Sequence, residues 1–166
     1  MLGLGRLGKS ATAMTVMTAS ALALGAGTAT ARAPIPINSD LRNCDFSLVA
    51  TSQQVPRTTV GRGTADIRTS GSTVVADVHM TFSNQPGAHF DAGLIQVPRP
   101  SSATCDPGDP GTTFASLDTD PSGTANVTIT APIRQGTTGV FVIVKTPQPH
   151  NQTPGEFYTT EYLAPV

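Results

Sequence analysis

The 166-residue chain has no tryptophan, only two cysteines, two tyrosines and six phenylalanines, and charged side chains make up 13% of it. Bases are scarce, ten in all, with Lys9 and Lys145 the only lysines. No cluster of Lys and Arg is there to neutralise phosphates, which excludes a nucleic-acid partner. Also missing are a Gly-x-Ser-x-Gly nucleophile elbow, a Cys-x-x-Cys pair and any segment with a helical apolar period. The 14 prolines fit that last absence, because each removes a backbone donor and clashes within a helix. Long helices are therefore excluded.

What is present begins with an export pattern. Arg6 and Lys9 precede an uncharged run from Ala11 to Gly27 and a small-residue stretch, Thr28 to Ala33. That is the order of a secretory signal peptide of the general (Sec) type, with its n-region, h-region and A-x-A site. A cut after Ala33 would leave Pro34 first, a poor substrate for signal peptidase, so the cut is expected after Ala31. No Cys follows the run to carry a lipid and no Arg-Arg pair marks the twin-arginine route. The run is short for a retained span, so the mature chain is expected to have no stable membrane insertion. The expected organisation is a signal peptide over 1–31, a Pro-containing lead over 32–43 and a folded domain over 44–166, secreted or held in the cell envelope. Gly3 to Ser10 also spells G-x-x-x-x-G-K-S, the P-loop pattern. Its chemistry needs a buried strand before the loop, and only Met1 and Leu2 precede it.

After cleavage 8 bases remain against all 11 acids, a formal charge of −3. Seven of those bases are Arg, and Ala, Thr, Gly and Pro dominate, a usage typical of a GC-rich actinobacterial genome. Cys44 and Cys105, an even pair in an exported chain, predict one disulfide. Closing a loop of about 60 residues gives at most about 4 kcal/mol in the chain-entropy model.

Short apolar segments recur between Gly, Pro, Asn and Asp punctuation, the rhythm of an antiparallel all-β domain. Strands are predicted near 44–51, 58–68, 73–82, 88–97, 112–118, 124–131, 139–146 and 156–163, forming an Ig-like β-sandwich of seven to eight strands. Ala125, Val127, Ile129 and Ala131 alternate with Thr124, Asn126, Thr128 and Thr130, so that strand has one core face and one wet face. Val140 to Val144 run unbroken, which places 139–146 centrally, covered on both faces. The 98–111 connection is the longest irregular stretch, and Cys105 is expected to tie it to the first strand.

The segment Phe114 to Ala125, with its Thr119-Asp120-Pro121-Ser122-Gly123 turn, resembles a hairpin recurring in secreted Ig-like and transthyretin-like sandwiches. With the N-terminal pattern, the Gly136-Thr137-Thr138-Gly139 turn and the late Glu156-Phe157-Tyr158 segment, the whole chain resembles small exported mycobacterial and actinobacterial proteins. Those have no assigned activity, so the resemblance implies a fold and a compartment and no site residues.

Candidate chemistry follows from pairing 73–82 with 88–97 as a hairpin. With Val74, Ala76, Val78, Met80 and Phe82 facing the core beside Phe90, Ala92 and Leu94, the parity of the side chains is fixed. Asp77 and His79 then share the outer face with His89 and Asp91, with His79 across from Asp91. Two imidazoles and carboxylates are ligand types that zinc or copper accept, and a His beside a carboxylate is also a pH-sensitive pair. Against the metal stands the ordinary polar face of any solvated sheet, where such pairs are weak surface ion pairs. Asp118, Asp120 and Ser122 mimic the first half of a calcium loop, but position twelve is Ile129 where a bidentate Glu is required. Glu156 and Glu161 point to opposite faces of one strand and cannot act as an acid/base pair from it. Asn126-x-Thr128 and Asn151-x-Thr153 match the N-glycosylation pattern.

The first expectation is thus an exported, non-enzymatic binding or structural module with no cofactor, using loops at one end of the domain toward an envelope or extracellular partner. The alternatives are a metal-binding protein or metalloenzyme using His79, His89, Asp91 and Asp77, and a hydrolase whose Ser, His and carboxylate meet in space.

Overall fold

The computed structural model describes residues 32–49, 61–147 and 156–166. The signal-peptide segment 1–31, His150 and the Asn151-x-Thr153 pattern lie outside the described residues. Among those residues there is no helix long and apolar enough to cross a membrane, and regular structure is β alone. The strands are β1 Ile35–Asn38, β2 Gly61–Ser70, β3 Thr73–Phe82, β4 His89–Val97, β5 Thr112–Asp118, β6 Thr124–Pro132, β7 Gly139–Lys145, β8 Phe157–Thr160 and β9 Ala164–Pro165.

All pairings are antiparallel and follow one path, β5-β4-β7-β8-β1-β2-β3-β6, with β9 added to β7. The two ends of the path, β5 and β6, lie beside each other without pairing, so the sheet is nearly closed, like a barrel. Its interior is the main core. Val74, Ala76, Val78, Met80 and Phe82 of β3, Ala125, Ile129 and Ala131 of β6, Phe90, Ala92 and Leu94 of β4 and Val140, Val142 and Val144 of β7 are all buried there. Alternation in the sequence thus converts directly into inward and outward faces.

The central position expected for β7 is observed. Val140, Val142 and Val144 face the main core, while Phe141 and Ile143 join Ile95 and Val97 in a second apolar cluster on the other face. Phe114 of β5 and Phe157 of β8 pack against that second cluster from the neighbouring strands. Phe46 and Cys105 pack on it from two irregular segments, and the Cys44–Cys105 disulfide joins those segments (S–S 2.04 Å). Phe46 adopts φ 72°, costly for a bulky side chain. Its ring is held between Phe141, 5.0 Å away, and the Arg42 guanidinium, 4.1 Å away.

Three expectations need correction. The segment predicted as a strand over 44–51 is, in its described part, a turn with a single Arg42–Leu48 bridge, because the disulfide and the Asp45–Ser47 hydrogen bonds fold it back. The Pro-containing lead carries β1 instead, where Ile35 and Ile37 are buried and Pro36 is outward. Most consequentially, β3 and β4 do not form a hairpin. β3 pairs with β2 and β6, and β4 with β5 and β7. The connection between them is pinned to Thr119, whose hydroxyl donates to the Gln85 carbonyl and accepts from the Ala88 amide. It therefore carries the chain across the core to the opposite side of the sheet. The predicted parity survives, since Phe82 and Phe90 both point inward, but they meet face to face across the core.

The turn between β5 and β6 shows why its residues are what they are. Asp120 Oδ1 accepts from the Ser122 and Thr124 amides and the Ser122 hydroxyl. Gly123 has φ 79° and lies against the Phe82 carbonyl where a Cβ would collide, so only glycine fits.

Candidate functional site

The new topology redistributes the polar residues. His79 stands on β3 with Nδ1 2.5 Å from Asn126 Oδ1 of β6. Its neighbour Asp77 pairs with Arg68 and accepts from Thr128 Oγ1 at 2.6 Å; the Thr128 hydroxyl, then Arg68, hold its carboxyl below the usual carboxylate range. His89 and Asp91 stand on β4 beside β5. His89 Nδ1 lies 2.6 Å from Asp118 Oδ1, and its Nε2 lies 3.8 Å from Asp91 Oδ1. The four residues expected at one metal centre therefore form two clusters on strands that are not neighbours. Among the described residues no three His, Cys, Asp or Glu side chains are placed to hold a metal ion.

The calcium set divides as well. Asp118 turns to His89, whereas Asp120 is consumed by its own turn, whose Ser122 and Thr124 donors lower its pKa. Ser116 Oγ does approach His89, at 3.4 Å from Nδ1. That is the nitrogen already facing Asp118, while a relay needs serine and carboxylate on opposite ring nitrogens. This Ser-His-Asp meeting is thus a polar surface cluster without relay geometry.

A concave site occurs elsewhere, at the end of the sheet where β4 leads into β5. The connection starts at the cis Val97–Pro98 bond and includes Cys105. With Arg134 of the 133–138 turn between β6 and β7 it borders an open, shallow cleft of about 400 Å³ lined by Arg99, Ser102, Thr104, Asp109 and Arg134 together with prolines and Ala103. Arg99 brackets the loop from inside, donating to the Pro110 carbonyl at 2.5 Å and to the Thr104 carbonyl. Arg134 reaches the same Pro110 carbonyl at 3.4 Å. Two guanidinium groups thus converge on one neutral acceptor. Neither makes a salt bridge among the described residues.

The one carboxylate in the lining, Asp109, is committed to the loop. Its Oδ2 accepts from the Thr104 hydroxyl at 2.6 Å and the Asp106 amide at 2.9 Å. Those donors, Thr104 first, lower its pKa, with smaller contributions from Arg99 and Lys145.

The backbone of Arg134 is fixed by a buried side chain. Gln96, 3% exposed in β4, accepts at Oε1 from the Arg134 amide and the Thr137 hydroxyl and donates from Nε2 to the Pro132 carbonyl. Gly111, φ 78°, leaves the space that the Arg134 guanidinium occupies. Sequence reasoning singles out the 98–111 loop but none of Arg99, Arg134 or Gln96 as functional. The available signal is Gln96 itself, a polar residue within the apolar run Leu94 to Val97. No spacing rule places Arg134 beside Arg99, because the two meet only when β4 and β6 are brought to one end of the sheet. Compared with protein-family models, curated proteins and solved structures, the chain finds no match.

Proposed function

We propose that the chain is an exported, non-enzymatic binding module of the cell envelope or extracellular space. In this reading it is an all-β domain of Ig-like sandwich type that takes its ligand in the cleft between the 98–110 loop and the 133–138 turn. The observation that carries it is the fixing of that cleft by parts outside it: Gln96 beneath Arg134, Gly111 beside it and the disulfide behind the loop. A concave site whose polar groups are already oriented loses less on binding. Export is supported by the Arg6, Lys9 and A-x-A pattern and by a disulfide of the kind that persists in oxidising compartments. The likeness to small exported actinobacterial proteins agrees with it. The sandwich reading is supported by inward faces that meet across the core at Phe82 and Phe90. Catalysis draws no support from Ser116, His89 and Asp118, which converge on one nitrogen.

The test is amide chemical-shift mapping of the disulfide-intact protein against a cell-envelope extract of the producing organism. Shifts are expected to gather at Arg99 to Thr104 and at Arg134. Shifts confined to other surfaces, or none, would end this reading.

A further inference from the structure

We infer that the cleft is an oxyanion site, taking a phosphate or carboxylate group of its ligand between Arg99 and Arg134; this rests on the binding reading above. The charge balance is the first ground. Two guanidinium groups line the cleft and the one lining carboxylate, Asp109, has one oxygen engaged by Thr104 and the Asp106 amide. The cleft is therefore locally cationic on a mature chain of formal charge −3, and field lines from such a patch draw anions to it. Arginine forks also match the planar geometry of carboxylate and phosphate.

Placement is the second ground. Both guanidiniums direct donors at the Pro110 carbonyl. Their shared acceptor is neutral, and the Arg134 contact is long at 3.4 Å. An oxyanion would give Arg134 a charge-assisted partner that this carbonyl does not supply. The Ser102 hydroxyl lines the same cleft and adds a donor for a further oxygen.

The third ground is preorganisation. Holding two like charges close together is unfavourable without a counter-charge, yet here the Arg134 backbone is fixed by a buried amide and its side chain is given room by a glycine with φ 78°. The arrangement fixes the base of a side chain whose cation makes no salt bridge among the described residues. Arg99 combines two tasks, bracing the loop and contributing charge, whereas Arg134 is exposed and separable from the fold.

The experiment titrates the disulfide-intact protein with inorganic phosphate and, separately, with succinate, following amide shifts at Arg99 to Thr104 and Arg134. Saturable shifts are expected with at least one anion, and the stronger of the two identifies the source of the oxyanion. Binding should weaken at least tenfold in Arg134→Gln, fall with added sodium chloride, and be unchanged in Arg68→Gln, a cation paired elsewhere. Absence of a saturable shift with both anions, or equal binding by wild type and Arg134→Gln, would overturn the inference. If envelope extract still shifts the cleft amides equally in both proteins, the oxyanion inference fails while the binding reading stands. If the extract shifts none of them, both fail.

Discussion

The ring of Phe82 lies flat on that of Phe90, with centroids 4.0 Å apart and planes 9° from parallel. One residue ends β3 and the other is the second of β4, so the contact spans the core at the point where the chain crosses from one part of the sheet to the other. Tyr158 closes the group, its ring edge-on to Phe82 at 5.5 Å. All three are fully buried, and aromatic pairs of this kind add to their area burial.

Replacing either phenylalanine by alanine leaves a cavity that the crossing connection cannot easily fill. Phe82→Ala and Phe90→Ala should each lower unfolding free energy by about 3–5 kcal/mol, read from urea denaturation. The double variant should lose less than the sum, since the ring contact can be lost only once. Strict additivity would show that the two rings are energetically independent.

The disulfide closes the outer apolar cluster rather than the main core. Cys44→Ser with Cys105→Ser should cost about 2–4 kcal/mol and should raise hydrogen exchange first at Asn43 to Val49, leaving β3 and β6 protected. Uniform loss of protection across all strands would mean that the bond holds the whole sheet and not its outer cover.

Strands were far more legible than their partners. The alternation in 73–82 and 124–131 reports which side chains face inward, and the unbroken Val140 to Val144 reports burial on both faces, because both are properties of one strand. Pairing is a property of two. The parity of Phe82 and Phe90 is satisfied equally by a hairpin and by two strands facing each other across a core, and sequence does not distinguish them. The decision lies in Thr119, about thirty residues beyond the connection it pins. The single cluster of His79 with His89 rested on that hairpin, since the two were joined only by that pairing. Cys44–Cys105 is legible because only two cysteines exist to pair. The Arg99–Arg134 cleft is not, because it depends on the end of β4 meeting the turn after β6.

Acid should loosen the β5–β6 turn. A free aspartate titrates at about 3.9, and the Ser122 and Thr124 donors lower Asp120 below that in the folded state. The turn's contribution is thus fully present above the unfolded value and is lost as pH falls through the lower folded value. Asp77, lowered by Thr128 and Arg68, acts in the same direction. Thermal midpoints should fall below about pH 4, and Asp120→Asn should flatten that limb. An unchanged acid limb in Asp120→Asn would assign it to other carboxylates.

At His89 both ring nitrogens face carboxylates, Asp118 at 2.6 Å and Asp91 at 3.8 Å. Both nitrogens are thus directed at carboxylates of the protein, whereas a metal ligand needs a nitrogen lone pair directed at the ion. Chelation should leave the thermal midpoint unchanged, and zinc should raise it no more in wild type than in His89→Gln. A zinc-dependent rise confined to wild type would restore the metal reading at this cluster.

Gln96 is where fold and cleft are most tightly coupled, so its replacement should separate the two. Its amide accepts from Arg134 and Thr137 and donates to Pro132, satisfying three groups at the edge of a buried strand. Leucine at 96 keeps the volume and the apolar contact with β4 but leaves those partners without their amide. A buried group so stranded costs about 1–3 kcal/mol, although the Arg134 amide and Thr137 hydroxyl lie close enough to the surface to recover part of it from water. Gln96→Leu should therefore destabilise modestly while releasing the 133–138 turn. Hydrogen exchange at the Arg134 amide should rise well before that of β7, and any anion affinity of the cleft should drop although both arginines remain. Gln96→Glu retains an acceptor for the Arg134 amide but loses the donor to Pro132, so it should fall between the two. If Gln96→Leu leaves exchange at Arg134 and anion affinity unchanged, the turn is held by the Thr138 amide bonded to the Val97 carbonyl, and Gln96 serves the stability of β4 alone.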